Sequence, residues 1–306
     1  MTGERNSVLV GNICCFLAYF IFGFNIVFCK NIANCGLVSP IALFCMRSVG
    51  ALVLFELWSL VTGNHEKIAR ADLWKVALAS FLGLFLTQMS FLKAVTMTTA
   101  VDVSILSILS PIMTMVVASV VLRDRICLSG VCGLCISVAG VLFLIFNTVS
   151  VSSGAERTSV SGILLMILNT FSFACYVGIF KPLIQKYSVV CFMKWMFLFS
   201  TLFALPFGLR PLMEVDYAAI PSGIMLQILY VVVFATFVSY FLIPIGQKKL
   251  RPVIVCMYSY VQPVMAMAIS IAVGLDVMTW GKAAAAVLVF AGVGIVNFSQ
   301  RQFKSW

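Results

Sequence analysis

The chain has 306 residues, 62% of them hydrophobic and 10% charged, with a net charge of +10 and a mean hydropathy of +1.12. A soluble domain is nearer half apolar and a quarter charged. The two soluble domains that length alone would suggest are therefore excluded, because too little of the chain is polar enough to coat them. An apolar helix of roughly 20 residues crosses about 30 Å of hydrocarbon. Ten such spans fit, at about 8–29, 38–62, 73–95, 99–121, 129–147, 160–181, 190–209, 223–243, 253–274 and 279–299. The composition predicts an all-α membrane protein whose surroundings are the lipid bilayer.

Span one opens after Ser7 and carries Cys14, Cys15, Tyr19, Phe22 and Asn25 before Lys30-Asn31. Its apolar run exceeds the 7–15 residues of a signal-peptide core and no small-residue cleavage site follows, so it is expected to stay as a helix. Span two starts at Ser39-Pro40, with proline where a first turn tolerates it. It holds Arg47 and, on roughly the opposite face, Glu56. Charges at such depth are expensive, and Arg47 is expected to pair with a carboxylate or with carbonyl oxygens rather than with a ligand. Asp102, near the start of span four, is expected to anchor a loop. The lone His65 falls in the polar loop 62–72 and is expected to be solvated. The 11 cysteines are scattered among the spans, and the Cys132/Cys135 pair has no second pair or histidine near it. No metal or cofactor is expected.

Spans four and nine carry the organising signal. Val101, Val103, Ser107, Pro111, Met113, Asp124 and Gly140 each have an identical residue 152 positions later, at Val253, Val255, Ser259, Pro263, Met265, Asp276 and Gly292. A weaker echo at an offset of 151 relates Gly11 to Gly162 and Lys30 to Lys181. The chain is thus read as two five-helix repeats, 8–147 and 160–299, joined by the polar loop 148–159. An odd number of spans per repeat turns the second half upside down. Inverted repeats mark secondary transporters, whose substrate sites lie near the midplane between the halves.

The basic residues orient the protein. With a cytoplasmic N-terminus, 14 of the 20 Lys and Arg fall on the cytoplasmic side and 5 on the other, with Arg47 inside a span. That is the positive-inside bias. It implies both termini in the cytoplasm and no nucleic-acid partner. Trp58, Trp74, Trp195 and Trp280 lie near span ends, where interfacial belts place them.

Candidate functional residues cluster in these spans. Pro111 and Pro263 each remove a helix hydrogen bond, and the freed carbonyl needs a neighbour, water or a cavity. Their matched places favour a hinge or gate over a static kink. Ser104 and Ser107 share a face with Pro111, as Ser259 does with Pro263, a pattern that suits close packing as well as a polar path. Asn169 and Tyr176 form a face on span six, with Asn25 as a partner on span one. Gln88, Tyr240, Tyr258 and Gln262 add hydrogen-bonding groups at membrane depth.

Taken together, Ala94-Val95-Thr96, Thr99-Ala100, Ser104, Leu106, Pro111, Asp124 and Gly133…Gly140, with Pro40…Arg47 and Lys30 upstream, resemble the EamA unit of the drug/metabolite transporter superfamily. The chain is similar to two such units along nearly its whole length. It departs from the usual pattern at Asp124 and Asp276, where glutamate is common, and at Ala285, where glycine is. The resemblance implies a ten-helix inverted-repeat fold with a central cavity lined by spans one, three, four, six, eight and nine. It also implies export of amino acids or related small metabolites from the cell across its inner or plasma membrane.

From the residues themselves, a small amphipathic metabolite is the expected substrate, foremost an amino acid with an apolar or aromatic side chain. Hydroxyls, amides and phenols among Phe and Met would receive it. A proton-coupled exporter of organic cations is the alternative, although residues 8–30 contain no acid. A membrane-embedded enzyme is disfavoured, because no nucleophile–base pair or metal cluster can be assembled. No Walker motif is present, so ATP coupling within the chain is not expected. The expected unit is a monomer.

Overall fold

The computed structural model describes residues 2–63, 66–110, 158–250 and 258–275 without a break, with 277–281 and scattered positions between 112 and 143 and between 283 and 295. The described residues form helices and short linkers, with no strand among them. In chain order the helices are α1 (Thr2–Cys35), α2 (Pro40–Val61), α3 (Arg70–Met97), α4 (Ala100–Ser107), α5 (Val160–Ile179), α6 (Lys181–Lys186), α7 (Val189–Met213), α8 (Ser222–Lys249) and α9 (Val261–Ala272). Among the described residues, α1 from Val8 onward, α2, α3, α5, α7 and α8 are long and apolar enough to cross a membrane, and α4 and α9 are shorter apolar helices. The protein is thus a multi-pass membrane protein. The spans expected at 129–147 and 279–299, the loop 148–157 and His65 lie largely or wholly outside the described residues.

Local sequence sets the helix starts. Ser39, Thr99, Ser159 and Ser188 precede α2, α4, α5 and α7, and each side-chain oxygen accepts from the amide three residues on, at 3.1–3.3 Å. Each cap satisfies one amide that the first turn leaves without a partner. Pro182 in the first turn of α6 forces a fresh helix after Phe180. Helix α8 runs six residues past its expected end, to Lys248 and Lys249. Long basic side chains at a helix end can reach back to the interface while the helix continues.

The described helices of the two halves correspond, with the unbroken α1 matched by α5 and α6 in succession. Helices α3 and α8 begin and end 152 residues apart, and each contains one π-helical segment, Phe81–Leu86 and Val233–Val238, at matched positions. Helix α2 packs most heavily on α7, its own counterpart. Helix α1 packs on α8, and the corresponding pair, α5 on α3, repeats that contact. The matched helices run in opposite directions. Lys30, near the C-terminal end of α1, donates to the Thr98 carbonyl at 2.8 Å, and the amide of Ser159, at the start of α5, donates to the adjacent Met97 carbonyl at 2.8 Å. So α1 ends at the face where α5 begins, as inversion requires.

Two apolar clusters fill the interior, one around Phe44, Ile105 and Ile108 and the other around Phe55, Phe192 and Met196. Outward faces remain apolar, with Leu60, Leu164, Phe207 and Leu226 more than half exposed. In water such a surface would drive aggregation. In hydrocarbon it is the solvated face.

Candidate functional site

Between the two halves lies a small, partly open cavity of about 90 Å³. Helix α1 lines it with Tyr19, Phe22 and Asn25, α2 with Arg47, α3 with Thr87, Gln88 and Phe91, and α5 with Asn169, Thr170 and Phe173. Tyr240 of α8 completes the wall with Ser107, Ser110, Ser259 and Gln262. Most of these residues fall near the middles of their helices.

Six of the residues expected to meet a ligand come together here: Asn25, Gln88, Ser107, Asn169, Tyr240 and Ser259. The structure places the other three elsewhere. Ser104 is fully buried, its hydroxyl donating to the Ala100 carbonyl at 2.7 Å. Tyr176 lies flat on Gly83, where an added Cβ would fall 2.5 Å from the ring. Tyr258 packs beside Cys15 and Leu250. Conversely, α2 was not expected to line the cavity, yet it contributes Arg47.

A tight turn interrupts the regular hydrogen bonding of the helix that carries Ser107, while the backbone stays helical at Ile108. Helix α4 ends at Ser107, and Ile108 and Leu109 form a tight turn whose amides reach carbonyls three residues back, at 3.1 Å each. Helical structure resumes at Ser110. In the second half Ser259 and Tyr260 form the turn and α9 starts at Val261. Pro263 is therefore buried in the first turn of a new helical segment, where its missing amide costs little. Pro111 lies outside the described residues. Ser107 and Ser110 correspond to Ser259 and Gln262 at the repeat offset, so matched pairs of polar residues at or beside both turns line one cavity. Discontinuous helices of this kind supply polar groups at membrane depth in transporters.

Two hydrogen bonds join counterparts directly, both between residues 152 positions apart. Gln88 Nε2 donates to the Tyr240 hydroxyl at 2.5 Å, and the Ser48 and Ser200 hydroxyls meet at 3.2 Å. Residues that bond their own counterparts lie on the pseudo-twofold axis, so the axis passes through the cavity wall at Gln88 and Tyr240. The π segments adjoin it. A π turn loosens the backbone ladder, and hydroxyls five residues on take up the carbonyls: Thr87 donates to Leu82 at 2.6 Å, Thr236 to Val231 at 2.7 Å and Ser239 to Phe234 at 3.0 Å. Helix α5 adds Ser172 to the Leu82 carbonyl at 2.8 Å and Asn169 to the Thr87 carbonyl at 2.7 Å. Asn169 is thus held as a positioned amide.

Charge is distributed unevenly. Arg47 is 1% exposed, and its Nε donates to the Thr236 hydroxyl at 2.9 Å. Among the described residues it has neither the carboxylate nor the carbonyl partner expected of it, and Nη1 and Nη2 have no hydrogen-bond partner. Glu56 instead meets Lys194 at 3.4 Å. Asp102 is buried and accepts from the Thr158 hydroxyl, tying down the chain that leads into α5. At the opposite end, Asp72 of α3 accepts from Lys75 at 3.0 Å, Lys186 at 2.5 Å and the Tyr187 hydroxyl at 2.7 Å. Lys248 of α8 donates to the Tyr187 carbonyl at 2.5 Å. This ionic cluster joins the two halves on the face expected to be cytoplasmic. Its bonds to Asp72 and Tyr187 hold the Lys186 ammonium above the ordinary lysine range.

Comparison with known proteins places this architecture. An uncharacterized transporter of Bacillus subtilis (strain 168), YetK, is 22% identical over 222 residues, covering 72% of this chain and 67% of its own. A protein of known crystal structure, 15% identical, superposes with a TM-score of 0.64 over 98% of this chain and 99% of that one, a likeness of fold alone. The EamA-like transporter family matches twice, over residues 9–146 and 160–298. Two family matches on two inverted halves leave little of the chain unaccounted for, and the chain belongs to the EamA-like transporter family.

Proposed function

We propose that this member of the family is a secondary transporter that exports small metabolites, amino acids with apolar or aromatic side chains foremost, by alternating access through the central cavity. The observation that carries the reading is the cavity's place between the repeats, lined by Ser107 and Ser110 from one half and by their counterparts Ser259 and Gln262 from the other. Asn25, Gln88, Ser107, Asn169, Tyr240 and Ser259 would hold the polar end of the substrate. Tyr19, Phe22, Phe91 and Phe173 would receive its apolar part. Pro111 and Pro263 would mark the gates, one toward each membrane face, as the inversion of the halves suggests. The protein would work as a monomer in the inner or plasma membrane with both termini cytoplasmic, and an extracytoplasmic reporter placed after Ser153 tests that orientation.

The alternative, a proton-coupled exporter of organic cations, is disfavoured because no acidic residue stands among the described residues that line the cavity. Family membership points to a transporter rather than an enzyme. Proteoliposomes preloaded with labelled phenylalanine decide between the readings. Export of the amino acid, slowed by Asn25→Ala or Ser107→Ala, supports the proposal. Movement of an organic cation against a proton gradient, with none of the amino acid, would replace it with the alternative.

A further inference from the structure

We propose that Arg47 is the anion anchor of the cavity, holding the carboxylate of the transported ligand in its guanidinium fork, so that the substrate class is small carboxylates, whether zwitterions or simple monoanions, and excludes amines. The inference rests on the transport reading above and gives its substrate a required group.

Arg47 sits near the middle of α2 with its guanidinium removed from solvent. Only Nε is engaged, by Thr236. That hydroxyl accepts from Arg47 and donates its own proton to the Val231 carbonyl, so both its roles are fixed. The guanidinium is therefore oriented while Nη1 and Nη2 remain without partners. An isolated buried charge is expensive, and a buried cation of this kind is ordinarily paired or serves a ligand. A carboxylate fits two guanidinium nitrogens bidentately, in the geometry that distinguishes Arg from Lys.

The internal duplication supplies a control. At the repeat offset Arg47 corresponds to Phe199, and Thr236 corresponds to Leu84. The same fold position is therefore built from apolar residues in the other half, so the helix packing does not require a cation there. Symmetry is kept at Gln88 and Tyr240, which bond across the axis, and is broken where the charge is placed. Among the described residues that line the cavity, Arg47 is the sole charged one. Nη1 and Nη2 are closed to solvent in this structure, so a ligand carboxylate would reach them as the cavity opens. A ligand ammonium would find amide and hydroxyl oxygens and aromatic faces, with no acid to neutralise it.

The test uses the full chain in nanodiscs, with phenylalanine, phenylpyruvate and phenethylamine as matched probes that carry both charged groups, the carboxylate alone and the ammonium alone. Thermal unfolding of the wild type should rise with millimolar phenylalanine and phenylpyruvate and not with phenethylamine, since binding to the folded state raises stability. Arg47→Lys should weaken binding of both acids by about ten- to hundredfold, the worth of hydrogen bonds to a charged group. Arg47→Met should abolish their effect while leaving the ligand-free protein at least as thermostable as the wild type, because an uncompensated buried charge has been removed. Three results would each overturn the assignment: stabilisation by the amine but not by the acids, equal stabilisation of Arg47→Met, or a large loss of ligand-free stability in Arg47→Met that marks a purely structural arginine. The ligand-free comparison stands even if proteoliposomes move no amino acid, so failure of the anchor and failure of the transport reading are told apart.

Discussion

Breaking the hydrogen bond between Gln88 and Tyr240 tests whether the two halves are coupled on their shared axis. Gln88 is 8% exposed and Tyr240 7%, and the 2.5 Å bond joins α3 to α8 beside the cavity. Tyr240→Phe keeps the ring, which makes edge contacts with Phe22 at 5.9 Å and Phe197 at 5.6 Å, and removes only the hydroxyl. The amide of Gln88 is then left without that partner. A buried orphan of this kind costs about 1–3 kcal/mol, but side-chain bonds within membranes average nearer 0.6 and reach about 1.7 kcal/mol. Water in the adjoining cavity should also reach the amide, so about 1 kcal/mol is expected for Tyr240→Phe. Gln88→Leu removes the other partner, and the double variant removes both groups and so the orphan as well. The double variant should therefore be less destabilised than the two single variants added together, by about 0.6–1.5 kcal/mol. At roughly 2 °C per kcal/mol for a chain of this size, that is about 1–3 °C in the midpoint of thermal unfolding. The assay is a double-mutant cycle by thermal unfolding in nanodiscs. Additivity within about 0.3 kcal/mol would show that the bond does not couple the repeats and refute the reasoning.

Gly83→Val should destabilise by about 1–3 kcal/mol, because its Cβ would fall 2.5 Å from the Tyr176 ring; unfolding midpoints of Gly83→Val and of Gly83→Val with Tyr176→Ala check it, the second change recovering part of the loss. Asp72→Asn should loosen the contact between α3 and α6 and speed labelling of a cysteine at Leu183, which lies beside Asp72, by a reagent applied from the cytoplasmic side. The Lys186 arm of that cluster follows pH with a definite sign. Its ammonium is raised above 10.5, so the stabilisation is complete below the ordinary lysine value and is lost only as pH climbs through the higher folded value. Labelling in the unsubstituted cluster, corrected for the ionisation of the thiol itself, should therefore stay flat from neutral pH to about pH 10. Pro263→Ala should change transport while shifting the unfolding midpoint by only a few degrees, because the residue stands in a first helical turn where no backbone bond is lost; flux equal to wild type in that variant would reduce the residue to a packing element.

Much of this architecture was legible because duplication converts one sequence into its own alignment. Pro, Asp and Gly recurring at one offset exposed the repeat, and the odd number of spans per half implied inversion. The same offset also relates Gln88 to Tyr240 and Ser48 to Ser200, pairs that meet across the axis. The matched π segments were not legible: Phe81–Leu86 and Val233–Val238 share little beyond apolar character, and an extra residue in a helical turn is settled by packing across the bundle. Only the hydroxyls of Thr87 and Ser239, at corresponding positions, hinted at carbonyls needing donors. Tyr176 was expected in the cavity because helical spacing put it on the face of Asn169. Gly83, distant in sequence, offers it a flat seat instead. Arg47 was read as one half of an internal pair because charges in membranes usually are. Its departure from Phe199 was the overlooked signal.

Alternating access through the cavity is tested most directly by counterflow. Proteoliposomes are preloaded with excess unlabelled phenylalanine and diluted into a trace of labelled phenylalanine. A carrier whose site faces one side at a time must exchange the two, so label should rise transiently above its equilibrium level and then decay, and Asn25→Ala or Arg47→Met should lower the peak. Monotonic equilibration without an overshoot would mean a pathway open to both sides at once, and absence of any protein-dependent flux of the label would contradict amino-acid transport.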